Sequence, residues 1–404
     1  MKILHVIHGF PPFYMAGSEV YTYNLTRELA KRDDVFVFTR IENPFEPAYT
    51  FYDETIDGVH IRRINKPQRD YTLEDKYLDE KMEDCFFKYI QKVKPDIVHF
   101  GHLSHLSTNL VNIAKENLGL PIVYTIHDFW LLCYRGQLVD TSLKICSGPS
   151  DNSCYSCASK IFKKAVSKED IIRYRQHIAR VINNIDLFFC PSLFLKKIFE
   201  NNGVPTEKIR LSRYGFPAND IRYKQKKFTD TSKIHFGFIG RLIPVKGIKL
   251  LLEAFSKLGN TNSKLLIFGE SGEYIKYLEK YANQNVVFMG GFKNWEIGKV
   301  LDQIDVLVVP SIWYENSPLV IQEAFLAGIP VITSDIGGMK ELVEDGRDGF
   351  TFKMGDIESL HSLMKRIVTN PVILNNLHPN PKKVRQIEDD ARGVRIAYEE
   401  VLKG

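Results

Sequence analysis

The sequence predicts an α/β protein built from two parallel-sheet domains, and three observations carry that expectation. Short strand-type runs alternate with amphipathic helix-type stretches, and the runs are continuously apolar, as strands covered on both faces must be. The 404 residues, 44% hydrophobic and 25% charged, suffice for two separate cores. The alternation pauses at Gly215 and Pro217, a hinge-type composition, and restarts at Ile234.

Charge and composition narrow the class. A formal net charge of +5 is small for this length and argues against a dedicated nucleic-acid binder, although a basic patch could meet an anionic membrane. The opening MKILHVIHGFPP is broken by His5 and His8 and is too short an apolar run for a signal peptide. Nothing approaches the ~20 apolar residues of a membrane helix. The expected location is the cytoplasm, with a peripheral position at the inner face of the membrane as a further option. Six cysteines in such a chain are not a disulfide framework.

The first strand, Lys2 to His8, leads through Gly9 to Gly17, and Gly17 opens a helix carrying Val20, Leu25 and Leu29 on one face. A glycine at a helix start lets the backbone approach a ligand closely. Strand-type runs follow at Val35 to Thr39, Val59 to Ile64, Asp96 to Phe100 and Ile122 to Ile126, with a helix-type stretch from Leu73 to Lys92. Ligands of open parallel sheets sit at the carboxyl ends of the strands. His127 and Asp128 stand at one such end and His99, His102 and His105 at another. The latter three read as structural histidines; for His127 a structural histidine satisfied by Asp128 is the competing reading.

Residues 133–157, CYRGQLVDTSLKICSGPSDNSCYSC, break the rhythm with polar residues and end in C-x-x-C. Cys133, Cys146, Cys154 and Cys157 could together hold a structural Zn²⁺ that orders a loop lacking its own core. Unliganded thiols, or a disulfide or cluster, are the alternatives. From Lys160 to Arg180, basic residues interleave with Ile, Phe, Val and Tyr at helical spacing, as in a helix that lies on an anionic membrane or one simply solvated on its outer face. A strand at Asp186 to Cys190, a helix at Ser192 to Asn201 and a strand at Ile209 to Ser212 complete the first half.

The second half opens with a strand at Ile234 to Ile239 and then GRLIPVKG, Gly240 to Gly247, before a helix from Ile248 to Leu258. Arg241 offers a planar fork to phosphate oxygens and Lys246 a point charge at a helix start, which together would neutralise a diphosphate. Strands ending in Gly269-Glu270-Ser271-Gly272 and in Gly290-Gly291-Phe292 follow. The run Asp305 to Val309, the loop Pro310 to Ser317, the helix Pro318 to Ala327 and a further strand form a βαβ unit. Pro318 suits the first helical turn, and the free N–H groups there favour an anion. Glu315 in the loop and Glu323 on the helix accept hydrogen bonds only, so the pair could grip hydroxyls of a sugar and a ribose; solvated surface charge is the bland alternative. Helices at Ile357 to Val368 and near Val384 to Leu402 end the chain.

A glutamate, seven residues and a second glutamate within ENSPLVIQEAFLAGIPVI, followed by SDIGGMKELV, resemble the signature of family 4 nucleotide-sugar glycosyltransferases. GRLIPVKG and His127 match the same family, and the resemblance covers the whole chain, strongest from Gly240 to Phe352. It implies the GT-B fold: two Rossmann-like domains facing each other across a cleft. Residues 1–213 would form the acceptor side, with 384–404 packing back on it, and 217–383 the donor-binding domain. The implied activity is retaining transfer of a hexosyl unit from a nucleoside diphosphate sugar to a saccharide or lipid-linked saccharide in cell-surface polysaccharide or glycoconjugate synthesis, with no catalytic metal. A sugar-nucleotide epimerase of the same fold, or a catalytically silent scaffold, are the alternatives.

The resemblance also assigns roles. His127, Arg241, Lys246 and Glu315 would be catalytic; Gly17, Gly240, Gly269, Glu270, Phe292, Asn316, Ser317, Pro318, Leu319, Val320 and Glu323 would bind the sugar nucleotide. A subset of the family carries a similar cysteine-rich stretch. Residues 160–180 would provide any peripheral membrane contact.

Overall fold

The computed structural model describes residues 1–67, 72–162, 164–217, 221–259, 261–270 and 272–404. Ser271 of the expected glycine turn and Lys163 of the expected basic helix lie outside the described residues. The chain divides into two compact units, Met1–Phe216 with Arg385–Gly404, and Pro217–Val384.

In the first unit the strands are β1 (Lys2–Val6), β2 (Asp34–Ile41), β3 (Phe51–Ile56), β4 (Val59–Asn65), β5 (Ile97–Phe100), β6 (Ile122–Thr125), β7 (Leu187–Cys190) and β8 (Ile209–Leu211), followed by the short β9 (Gly215–Phe216). Among the described residues the sheet order is β3-β4-β2-β1-β5-β6-β7-β8, parallel throughout except for the β3/β4 pair. The order reverses between β1 and β5, which makes their carboxyl ends the natural ligand position. Every residue of β5, β6 and β7 is buried, which is why these strands read as unbroken apolar runs. Side-chain caps start the flanking helices: Asp79 accepts from Met82 N ahead of Glu80–Val93, and Ser192 from Leu195 N ahead of Leu193–Asn201.

The expected continuous helix over Lys160 to Arg180 is not formed. One helix, Asp151–Ile161, ends at buried Phe162, and another, Lys168–Asn183, restarts behind a Ser167/Asp170 capping box. That reciprocal cap satisfies two backbone donors and favours a fresh start over continuation.

The second unit contains β10 (Ile234–Ile239), β11 (Ser263–Phe268), β12 (Val286–Gly290), β13 (Val306–Val309), β14 (Val331–Ser334) and β15 (Gly349–Phe352). They form a wholly parallel sheet in the order β12-β11-β10-β13-β14-β15, reversing between β10 and β13. The helix Ile248–Ser256 buries Ile248, Leu251, Leu252 and Phe255 in the core with Phe236, Ile267, Val308 and Met364. Truncating any one of these leucines to alanine would cost about 2–5 kcal/mol.

A last strand, β16 (Arg385–Gln386), pairs in parallel with β9 and precedes the helix Ile387–Val401. The first unit therefore extends to Phe216 and resumes at Arg385, a few residues from the expected boundaries at 213 and 384, because this two-residue ladder ties both segments to it. Among the described residues no helix is long and apolar enough to cross a membrane.

Candidate active site

In the second unit, the loops after β10 and β13 are locked together by backbone proximity. Gly247 has φ +71°, and a Cβ there would lie 1.9 Å from the Pro310 carbonyl oxygen. Ile312 N donates to Val245 O at 2.9 Å. Only glycine allows this approach, and its effect is to bring Lys246 to Glu315: Nζ donates to Oε1 at 2.7 Å. The same Oε1 accepts from Ser311 Oγ at 2.7 Å and from Trp313 Nε1 at 2.9 Å, so the buried Glu315 carboxylate is held by three donors. The Trp313 ring also lies 5.7 Å from Lys246 Nζ. Arg241, one residue past Gly240, is exposed and has no ion pair among the described residues.

The loop holding Glu315, Asn316 and Ser317 is fixed from behind by Gly337 and Gly338. Gly338 N donates to Glu315 O at 2.8 Å, and a Cβ on Gly338 would stand 1.5 Å from Asn316 O. Pro318 then leads into the helix Leu319–Ala327, whose first N–H groups have no intrahelical acceptor. Gln322 Nε2 donates to Ser317 Oγ at 3.0 Å, securing the loop to that helix. Glu323, one turn in, is half-buried, and burial pushes its carboxyl up to about 7. No hydrogen bond or ion pair reaches it among the described residues, which leaves its oxygens available as acceptors.

Gly240, Gly269-Glu270 and Phe292 follow β10, β11 and β12 at the same end of this sheet. Gly240 N donates to Phe268 O at 3.0 Å and Gly269 N to Gly290 O at 2.9 Å, so these turns are stitched to one another. The Glu270 side chain lies over Gly291, where a Cβ would meet Oε1 at 2.2 Å, and Phe292 packs edge-on to Phe268 at 6.3 Å.

In the first unit, a band of imidazoles and acids occupies the carboxyl ends of β1, β5 and β6. His8 Nδ1 donates to His102 O at 3.2 Å, and its Nε2 lies 3.2 Å from Glu19 Oε1. Burial opposes ionisation of Glu19, but the His8 contact and the Ser18 hydroxyl outweigh it and hold the carboxyl at about 2. His102 Nε2 lies 2.8 Å from Asp128 Oδ2; burial works against its protonation and Asp128 overcomes this, raising its pKa. His127 is bonded through Nδ1 to the Tyr214 hydroxyl at 2.7 Å, and burial lowers its pKa to about 3, so the ring is neutral near pH 7. Asp128 thus pairs with His102. Gly17 opens the helix that carries Glu19. His99 is internal, bonded to Thr125 Oγ1 at 2.7 Å and to the Tyr398 hydroxyl.

Comparison with known proteins decides the family. The Glycosyltransferase Family 4 profile matches residues 15–217, and the Glycosyl transferases group 1 profile matches residues 219–385. The chain belongs to glycosyltransferase family 4. A UDP-Gal:alpha-D-GlcNAc-diphosphoundecaprenol alpha-1,3-galactosyltransferase from Escherichia coli is 28% identical over 319 residues, 75% of this chain and 73% of that protein. Sucrose-phosphate synthase from Thermosynechococcus elongatus has the same GT-B fold, with a TM-score of 0.73, 19% identity and 100% of each chain covered. Anabaena HepE in complex with UDP and glucose gives 0.69 and 16%, covering 99% of each chain.

The cysteine-rich segment of this glycosyltransferase lends the expected zinc site no support. Among the described residues, no group of three or more His, Cys, Asp or Glu side chains is placed to hold a metal ion, and all four cysteines are free thiols. The segment orders itself by other means. Leu138 and Val139 are buried, Val139 and Ile145 form a β-bridge, and Asp140 Oδ1 accepts from Ser142 N and Lys144 N at 2.7 and 2.9 Å. Cys154 and Cys157 lie on the helix capped by Ser150, Cys146 Sγ donates to Gly148 O at 3.3 Å, and Tyr134 packs against Phe162 and Tyr174.

Residue-level reading of this glycosyltransferase missed Ser311 and Trp313 as partners of Glu315, Tyr214 as partner of His127, and the His8/Glu19 and His102/Asp128 pairs. The glutamate two residues after Gly17 was a usable signal, since glycines at strand ends mark ligand loops. Nothing local marks Tyr214, which lies 87 residues from His127.

Proposed function

We propose that this glycosyltransferase moves a hexosyl unit from a nucleoside diphosphate sugar to a saccharide or lipid-linked saccharide, with retention of configuration, in cell-surface polysaccharide or glycoconjugate synthesis. The observation that carries the reading is the convergence of Lys246, Glu315 and the start of the Leu319–Ala327 helix at the carboxyl ends of β10 and β13. A departing diphosphate there would meet two cations, Arg241 and Lys246, and the main-chain N–H groups of Ser317 and Leu319. Such preorganised donors stabilise charge where it develops in the transition state. As the bond from the anomeric carbon to the diphosphate oxygen breaks, the acceptor hydroxyl forms the new bond and its proton passes to the diphosphate. No side-chain general base is then required. Glu315 would take hydroxyls of the sugar, Glu323 those of the ribose, and His127 would face the transferred sugar.

The Escherichia coli relative's name specifies a UDP-Gal donor and a diphosphate-linked lipid acceptor, and HepE was solved with UDP and glucose, which supports a UDP-sugar as the first donor to try. A lipid-linked acceptor would bring the chain to an anionic surface, where the exposed Lys160, Lys164, Lys168, Arg173, Arg175 and Arg180 of residues 160–180 would supply the expected contact. Thermal shift with a panel of nucleotide sugars tests donor binding: a ligand at a hundredfold its dissociation constant adds about 2.7 kcal/mol. Transfer by the stabilising donor, with the product's anomeric configuration read by proton NMR, tests the rest. Inversion, or donor consumption without an acceptor product, would overturn the reading.

A further inference from the structure

His127 acquires its orientation from a residue distant in sequence. Tyr214 is buried; its ring stacks on the His127 ring at 5.7 Å with 29° between planes, and packs against Tyr21 at 4.3 Å. The neighbouring residue is fixed as well. Gly215 N donates to the buried Asp390 Oδ2 at 2.9 Å, Gly215 pairs with Arg385 in the β9/β16 ladder, and a Cβ on Gly215 would lie 2.6 Å from the Asp390 Cβ. With its backbone tied to the terminal segment and its ring between two others, the phenol has little freedom.

We propose that Tyr214 is a positioning residue for His127, its hydroxyl donating to Nδ1 so that the ring's single proton resides on Nε2. The direction follows from a count of donors. Among the described residues the hydrogen-bond partner of the Tyr214 hydroxyl is His127 Nδ1. A buried O–H with no acceptor is costly, whereas an oxygen with an unused lone pair is better tolerated, so the hydroxyl proton points at Nδ1. The phenol is held well above its ordinary range, chiefly by burial, and therefore keeps that proton. A neutral imidazole that accepts at Nδ1 must donate at Nε2. The ring would then present an N–H, not a lone pair, to a sugar hydroxyl.

The role given to His127 rests on the transfer reading; the tautomer does not, and it can be measured without substrate. Long-range ¹H–¹⁵N NMR of the full chain labelled at histidine, assigned with His127→Gln, is expected to show His127 as the Nε2–H tautomer. In Tyr214→Phe, which keeps the ring and its packing, the two tautomers should mix. Turnover with UDP-galactose or UDP-glucose, whichever supports transfer, should fall about tenfold while the donor KM stays within about twofold. An Nδ1–H tautomer in the unsubstituted protein, or an unchanged tautomer and turnover in Tyr214→Phe, would overturn the proposal. Absence of transfer with every sugar nucleotide would count against the proposed function and leave the tautomer result standing.

Discussion

Lys246 Nζ lies 2.7 Å from Glu315 Oε1, so the cation expected to meet the diphosphate is held by the carboxylate expected to meet the sugar. Without a ligand the two neutralise each other, and a bound diphosphate must compete for the lysine. Replacing Lys246 by alanine should slow turnover by roughly one to two orders of magnitude, as loss of a charge-assisted bond worth about 1.5–3 kcal/mol implies. Glu315→Gln should act differently: it releases Lys246, so calorimetry should find UDP bound as tightly as before or more tightly, while transfer slows. Weaker UDP binding in Glu315→Gln would show that the carboxylate contacts the nucleotide.

Glu323 gives a pH dependence whose sign can be worked out. Its carboxyl ionises near 4.5 in the unfolded chain and near 7 in the folded one, so between these values the folded state holds more protons. The contribution of this group to stability is therefore lost as pH rises from about 4.5 to about 7 and is constant above that range. Removing the charge by Glu323→Gln should raise the melting temperature at pH 8 and change it little at pH 4, with an upper limit of about 3 kcal/mol.

Ribose hydroxyls that donate to Glu323 would favour its ionised form. UDP affinity should consequently strengthen as pH rises through about 7, with proton release on binding, and Glu323→Gln should abolish the release. Calorimetry in buffers of different ionisation enthalpy reads this directly; equal proton release in the variant would assign it elsewhere.

Gly338 tests the packing behind the Glu315 loop. A Cβ 1.5 Å from Asn316 O forces the backbone to move, so Gly338→Ala should lower stability by about 3 kcal/mol or more and weaken UDP binding. Gly346, with φ +76° and nothing within 4 Å of a Cβ, is the matched control: Gly346→Ala should cost only about 1–2 kcal/mol and leave UDP binding intact. Denaturant unfolding with parallel UDP titration distinguishes them.

His99 is assigned a structural role. Tyr398→Phe removes the partner of His99 Nδ1 in a buried site and should destabilise by about 1–3 kcal/mol without changing turnover per folded molecule. A turnover defect in fully folded Tyr398→Phe would place His99 in the chemistry.

The sheet strands were legible because burial on both faces leaves an unbroken apolar run, as in the LFFC of β7 or the VLVV of β13. β3 was not: FYDETI is largely exposed on the sheet edge, and its charges serve the neighbouring strand, Asp53 and Glu54 pairing with Arg62 and Arg63. β9 and β16 are two residues each, too short for any periodicity. The convergence of Lys246 and Glu315 was readable because both belong to local strand–loop–helix units. The partners that fix His127 and Glu315 were less so, since Tyr214 and the Gly247/Pro310 contact depend on tertiary proximity between distant segments. The order of the cysteine-rich segment was less legible because its polar composition hid a helix and the burial of Leu138, Val139 and Ala158.

The β9/β16 ladder bears on the order in which the protein is made. The first unit leaves the ribosome early but lacks Arg385–Gly404, and with it the strand that pairs with Gly215–Phe216 and the buried Asp390, Val394 and Tyr398. The second unit, continuous from Pro217 to Val384, is fully synthesised first. The earlier-made half can thus close around Tyr214 only once Arg385–Gly404 has been synthesised, and a stop codon at Arg385 would spare the later-made half while stranding the histidine-bearing one.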